Sequence, residues 1–255
     1  MSGVTRLHFD FEWRITLFTL LLLPLLVGLG CWQLQRAGEK RELAAMFEVR
    51  QAQAPVPVTA LWGESPEALA YRPARARGTF DSQRYLLLDN RVSRGRFGYE
   101  VVAILHLSDR DATVLVNRGW VAGDPARRSL PEVNWPRGEQ TVSGSVYVAP
   151  GKPYLLGPQA LDGDWPLVVQ SLAAEGMVST LERRLGQAVW PWSLRIDPAE
   201  PGALAADWPL VNTSPAKHTG YAVQWFCMAL ALLMLFVLRS SNLWQWLRGQ
   251  PDPEN

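Results

Sequence analysis

Cysteine is nearly absent from this chain, with two in 255 residues. Cys31 and Cys227 each lie in or beside an apolar run, so everything between them is cysteine-free. That excludes a disulfide framework and any Cys-x-x-Cys redox or zinc motif. A cysteine-free middle tolerates an oxidising compartment without requiring one. An excess of one charge sign is missing too, with 25 basic residues against 24 acidic ones. Phosphate backbones want clustered basic surface, so nucleic acid is not expected as a partner. The hydrolase, zincin, Walker and dinucleotide signatures are all lacking, and "GRFG" has two glycines and no following helix. Histidine is scarce, with three in all. His106, in "VVAILHLSD", shares a strand face with Val102 and Ile104 and reads as a core or edge residue rather than a catalytic base. A Cu(I) site would need soft ligands clustered. Cys227 and Met228 are neighbours, and adjacent helical residues diverge by about 100°. No enzyme is expected.

Apolar residues are abundant, at 48% of the chain, and Trp occurs twelve times. Two uncharged runs concentrate them. "ITLFTLLLLPLLVGLGCW", residues 15–32, spans roughly 27 Å as a helix, and residues 219–238 span about 30 Å. Pro24 is tolerable in a membrane helix. The first run also has a signal-peptide reading, with Arg6 and Arg14 ahead of it and "GLG" as a small-residue site, but it is longer than a usual signal core. Both are read as membrane spans, followed after Arg239 by Trp244 and Trp246 at interfacial positions. Charge counting leaves orientation open, because Arg6, Arg14, Arg239 and Arg248 flank the spans outside while Arg36, Lys40 and Arg41 follow the first. Two spans do put residues 1–14 and 239–255 on one side and the middle on the other.

The first helix is expected to continue over 33–54, until Pro55 and Pro57 break it. Residues 55–217 then form a β-rich domain. Short apolar runs at 74–80, 85–90, 98–107, 113–122, 140–148 and 189–196 predict six strands of a mainly antiparallel sheet, closed or sandwiched. Residues 171–186 predict a helix, 55–73 and 197–210 loops, and 212–214 match a glycosylation sequon. The fold class is α+β: two transmembrane helices flanking a β domain with one or two helices. "LLLDNRVSRG" and "VLVNRGWVAGD" echo each other. Their Asn-Arg pairs read either as hairpin turns using left-handed positions or as two placed arginines, Arg91 and Arg118.

One cluster of polar residues stands at the span boundary. His218 shares a helical stripe with Tyr221 and Trp225, and Ala222 leaves a shallow surface one turn below it. On the first helix Trp32 and Arg36 are four apart, as are Arg36 and Lys40. With both termini on one side, Trp32, Gln33, Arg36 and Lys40 can approach Lys217, His218, Tyr221 and Trp225. Those are the group types a haem requires: an imidazole for iron, aromatics for the macrocycle and cations for the propionates. They are also an ordinary interfacial anchor set, the reading that periodicity alone favours.

"GCWQLQRAGEK", "GYEVV", "VLVNRGWV" and "KHTGYAVQWF", in that order within a two-span layout, resemble the Surfeit locus protein 1 family from about Trp13 to Leu238. The resemblance implies a membrane-anchored assembly factor for haem–copper terminal oxidases, chiefly cytochrome c oxidase. It implies help with haem a delivery to the catalytic subunit, both termini on the inner side and the domain outside. It makes His218 the candidate iron ligand, with Tyr221, Trp225, Trp32, Arg36 and Lys40 around it. Asn117, Arg118, Gly119 and Trp120 form a family motif. Partners implied are the oxidase catalytic subunit, haem a synthase or other assembly factors, and the lipid bilayer. The first fourteen residues include Asp10 and Glu12 and lack an amphipathic Arg/Ser-rich presequence, so a bacterial inner membrane is expected, with the domain periplasmic. A second possibility is a scaffold that binds no haem and holds an assembly intermediate through Trp120, Trp190 and Trp192. "YVAPGKPYLLGP" and residues 197–210 carry no assigned role.

Overall fold

A computed structural model describes residues 9–155, 157, 159, 161–208 and 215–243. The sequon at 212–214 and the readings on Arg6, Trp244, Trp246 and Arg248 lie outside the described residues. In chain order the elements are α1 (Trp13–Gln51), β1 (Val56–Pro57), a 3-10 turn (Val58–Leu61), α2 (Pro66–Leu69), β2 (Pro73–Ser93), β3 (Arg96–Leu107), β4 (Ala112–Ala122), β5 (Glu139–Tyr147), β6 (Leu167–Val169), α3 (Met177–Leu185), β7 (Ala188–Ile196) and α4 (Pro215–Ser240). They group into two compact units: Met1–Ala45 with Leu210–Asn255, and Met46–Pro209.

The first unit is a helix pair. Among the described residues, α1 and α4 are the two helices long and apolar enough to cross a membrane. The apolar run and its extension form one uninterrupted 39-residue helix, because nothing between Trp32 and Gln51 breaks it; Pro24 lies inside it. The pair is antiparallel and pinned at both ends. At one end the Asp10 N–H donates to the Ser240 carbonyl at 2.8 Å, and Glu12 and Arg239 lie 3.7 Å apart. At the other, His218 meets Gln33 and Arg41 donates to the Thr219 hydroxyl. The rungs match. Gln33 is twenty-one residues after Glu12, and Arg239 twenty-one after His218. Each interval is about 31 Å of helix, the thickness of a bilayer core. Between the rungs the contact is made by small residues: Gly30 on α1, and Ala222 and Ala229 on α4, are buried. A Cβ on Gly30 would stand 2.6 Å from the Phe226 ring, so any larger residue there would have to displace that ring.

The second unit is a closed ring of five strands, β2-β3-β4-β7-β5 and back to β2. β4 pairs β7 in parallel, and the short β1 and β6 pair β2 in parallel; the remaining pairs are antiparallel. Inward side chains such as Ala74, Phe80, Leu105, Val116, Val146, Leu194 and Ile196 fill the ring, capped by Val58, Leu61 and Leu69. On the outer face Leu86, Leu88, Val102, Ile104 and Leu115 pack beneath Met177 and Leu181 of α3. Burying both faces explains why these strands read as apolar runs rather than strict alternations.

Three differences from the sequence reading have local causes. The strands expected at 74–80 and 85–90 are one strand, β2. It bends at an irregularity between Phe80 and Tyr85, where Asp81 accepts from the backbone N–H groups of Gln83 and Arg84. The helix expected from 171 starts at Met177, because Gly176 takes a left-handed φ of 74° and ends upstream extension. Its N-terminal neighbour segment is instead held by Gln159, whose amide oxygen accepts from the N–H groups of Gln170 and Ser171. Trp190 is not a surface residue. It is 1% exposed, faces the ring interior and lies 6.5 Å from the Trp62 ring. β7 carries two extra residues between Val189 and Ser193, which leaves the alternation in phase, so Trp190 faces the core with Leu194 and Ile196.

Candidate functional site

Two of the sequence-derived clusters have defined geometry, one in each unit. In the helix pair, His218 is half-buried, and its Nδ1 lies 2.8 Å from Gln33 Oε1. An amide oxygen can only accept, so this bond puts the proton on Nδ1 and the lone pair on Nε2. Gln33 reaches His218 because it lies on the buried seam of α1. Gly30, Gln33, Ala37 and Arg41 follow at steps of three and four. The sequence carried this signal in its small residues.

Trp32 and Arg36 each lie one position off that seam and are exposed. Arg36 donates to Glu39 Oε2 at 2.8 Å, and its guanidinium lies 5.8 Å from the Trp32 ring centre. One cation of the expected surround is therefore already paired. Lys40 is half-buried and Lys217 exposed. Arg41, unassigned in the sequence reading, hydrogen-bonds Thr219 at 3.0 Å. On α4, His218, Tyr221 and Trp225 share a stripe, with Tyr221 exposed and Trp225 half-buried. Ala222, expected to leave an open shallow surface, is fully buried, since its small side chain lets the helices close.

In the ring, Asn117 and Arg118 are neither a hairpin turn nor half of a matched arginine pair. Both Asn-Arg segments are bulges. Arg118 is the extra residue between Asn117, opposite Val102, and Gly119, opposite Val101. Asn90, at a left-handed φ of 58°, lies in the shift between Leu88 and Arg91. The β2–β3 turn itself is Arg94-Gly95, both at positive φ. The arginines point to opposite faces. Arg91 faces a polar cavity outside the ring beside Glu100. Arg118 is buried: its Nε donates to the Gly202 carbonyl at 2.7 Å, and Nη2 to the Asn134 carbonyl at 2.8 Å. Its guanidinium lies 4.7 Å from the Trp135 ring centre. Burial without a carboxylate pushes it down to about 10, so it stays charged at neutral pH.

Around it the motif ties β4 to residues 202–206. Leu204 N–H donates to the Arg118 carbonyl, and Trp120 N–H to the Ala205 carbonyl. The Trp120 indole donates to the Arg91 carbonyl at 3.0 Å, and Asn117 donates to Glu100 at 2.7 Å. Residues 202–206, within the stretch given no role from sequence, thus receive the motif. Carbonyl acceptors have no sequence signature, so nothing in the chain foretold it. His106 is held between Gln187 Oε1 at 2.7 Å and Asp81 Oδ2 at 3.3 Å, and both ring nitrogens are engaged within the fold. Among the described residues no group of three metal-ligating side chains forms.

The chain is similar to known proteins over most of its length. It is 35% identical over 161 residues to Surfeit locus protein 1 of Xenopus tropicalis, covering 57% of this chain and 50% of that one. To the mouse protein of the same name it is 36% identical over 129 residues, covering 45% and 41%. These matches span about half or less of the vertebrate proteins. A SURF1-like protein of Rickettsia felis is 24% identical over 235 residues, covering 90% of this chain and 98% of that one. The sequence profile of the SURF1 family matches residues 20–230, which takes in most of both long apolar helices, the Asn117–Trp120 bulge and the His218 rim. The chain belongs to the SURF1 family.

Proposed function

We propose that this protein is a non-catalytic, membrane-anchored assembly factor for a haem–copper terminal oxidase, acting on the catalytic subunit where haem a is delivered. In this arrangement α1 and α4 span a bacterial inner membrane, the termini are cytoplasmic and the strand ring is periplasmic. The lipid bilayer, the catalytic subunit and a haem a synthase or other assembly factors are the partners.

The observation that carries the proposal is the His218–Gln33 bond on the seam of the two apolar helices. Haem a is cargo, not a resident cofactor. The residues suit it in one respect above all: with Nδ1 occupied by Gln33, the Nε2 lone pair is the one available to iron. Tyr221 and Trp225 offer apolar and aromatic surface on the same stripe, and Lys40 and Lys217 are the cations left for carboxylates. Their intrinsic chemistry is to bind and orient.

The test is the visible spectrum of the full chain purified from cells making haem a, compared with His218→Ala. A Soret band in the wild type that is lost in the variant is the expected result. No band in either, under saturating haem supply, removes haem binding from the proposal. In a strain lacking the protein, oxidase activity and membrane haem a should both fall. A scaffold without haem is the second reading, favoured by the pairing of Arg36 with Glu39, which removes one propionate partner. It expects His218→Ala to preserve oxidase assembly.

A further inference from the structure

The outer face of the strand ring carries a cavity of about 270 Å³ that the proposed function does not use. Its floor comes from consecutive strands of the ring: Arg91 from β2, Glu100 from β3, Asn117 from β4 and Arg195 from β7. Asn117 and Arg195 are direct register partners, so their side chains leave the same face. Tyr147 and Trp192 form its walls.

The charges in this cavity do not close. The Nε atoms of Arg91 and Arg195 are buried and have no hydrogen-bond partner among the described residues. The one carboxylate present, Glu100, has Oε1 3.7 Å from Arg91 Nε, beyond hydrogen-bond reach. Its Oε2 accepts from Asn117 at 2.7 Å. The Arg195 guanidinium lies 3.7 Å from the Tyr147 ring centre, a contact that orients the cation and supplies no acceptor. Two guanidinium groups against one carboxylate leave a single positive charge, and both Nε donors are desolvated without a partner among the described residues. Buried donors of this kind are rare and costly unless something fills them. Burial, and to a lesser degree the neighbouring Arg91, hold Arg195 below its ordinary value, while Tyr147 and Glu100 act in the opposite sense.

We infer that this cavity is a binding site for a small monocarboxylate with a flat apolar body, its carboxylate between Arg91 and Arg195 and its body against Trp192. One excess positive charge matches one carboxylate, and Glu100 repels a second negative charge. Planar guanidinium donors match a carboxylate's two oxygens. The volume admits a ligand of roughly a dozen heavy atoms, at the small end of ligand pockets. The site stands on unit-two geometry alone and does not depend on the proposed function.

Benzoate is the probe, with benzamide as its neutral isostere and inorganic phosphate as the dianion, titrated against the full chain in detergent by calorimetry and tryptophan fluorescence. Benzoate should bind, benzamide should not, and phosphate should bind more weakly than benzoate. Arg195→Gln should weaken benzoate by roughly tenfold or more, the loss expected for a charge-assisted bond. Arg91→Gln, at a more exposed position and so the safer variant for folding, should weaken it in the same sense. Glu100→Gln should shift preference towards phosphate. Equal binding of benzamide, no benzoate binding to folded wild type, or indifference to Arg91→Gln would each overturn the assignment.

Discussion

Gly119 shows how a single position constrains the family motif. Its φ is 110°, and a Cβ there would stand 2.8 Å from the backbone of Ala205 and Ala206. Both the dihedral and the space exclude a side chain, and the obstruction is backbone that cannot step aside. Gly119→Ala should therefore cost about 2 kcal/mol or more, seen as a lower urea midpoint for the full chain in mild detergent. An unchanged midpoint would mean that residues 202–206 do not clamp the bulge. Gln33 makes the complementary case, where the consequence is chemical. It donates nothing to His218 and only accepts, so Gln33→Glu keeps an acceptor and strengthens it, while Gln33→Leu removes it. On the proposed haem-binding reading, Gln33→Glu should lower the reduction potential of the haem-loaded protein relative to wild type, and Gln33→Leu should weaken haem retention. Potentiometric titration checks the first and haem loss to apomyoglobin the second. Identical behaviour of all three proteins would detach Gln33 from the proposed ligand His218.

At the scale of elements, β2 illustrates what patterning alone leaves out. The apolar runs on either side of "DSQR" were legible, but their union was not. The turn residues in that gap read as a strand end, whereas Asp81 uses both carboxylate oxygens to carry the strand through its bend. Burial alone would raise the Asp81 pKa. The N–H and guanidinium of Arg84, the N–H of Gln83 and His106 outweigh it and hold it below the ordinary carboxylate value. A lowered carboxylate contributes stability that is complete above its unfolded value and is lost as pH falls through the lowered folded value. Wild type should thus exceed Asp81→Asn by about 1 kcal/mol at neutral pH. The gap should close in the acid limb below the ordinary aspartate range, followed by paired denaturation curves. A constant gap would assign the effect to packing.

The helix pair was legible for a different reason, since eighteen or more apolar residues admit few structures. Its seam was half legible. Gly30, Ala37, Ala222 and Ala229 mark it by size, yet Trp32 and Arg36 were favoured for their chemistry and proved to lie one position off. The contact at Gly30 is testable as a pair. Gly30→Ile should destabilise the full chain by roughly 1–3 kcal/mol through overpacking against Phe226, and adding Phe226→Ala should recover part of that loss. Additive losses would mean the two residues do not touch. The Arg118 anchors stayed illegible because the sequence names a donor, never the carbonyl that receives it.

For the whole molecule, the two free cysteines test whether the matched rungs enclose a bilayer. Cys31 stands two residues before Gln33, about 3 Å from the polar rim, and Cys227 nine residues beyond His218, about 13 Å along α4. Both side chains are exposed in the protein, so protein packing protects neither. Any difference in their reactivity must come from what surrounds the helices. Thiol modification proceeds through the thiolate, which a hydrocarbon medium suppresses and which an impermeant reagent can reach only through water. In membranes carrying Cys31→Ser, a charged maleimide should leave Cys227 unlabelled until SDS is added. In membranes carrying Cys227→Ser, Cys31 should label faster by about an order of magnitude or more. Adding the reagent to inverted and right-side-out vesicles then assigns the rim to one face, which the scattered Arg and Lys residues could not do. Preferential labelling of Cys31 from the periplasmic side is the expected outcome, since the proposed topology puts the His218 end of the helix pair on that side. Equal labelling of both cysteines in intact membranes would refute the two-span arrangement, and preferential labelling of Cys31 from the cytoplasmic side would invert it.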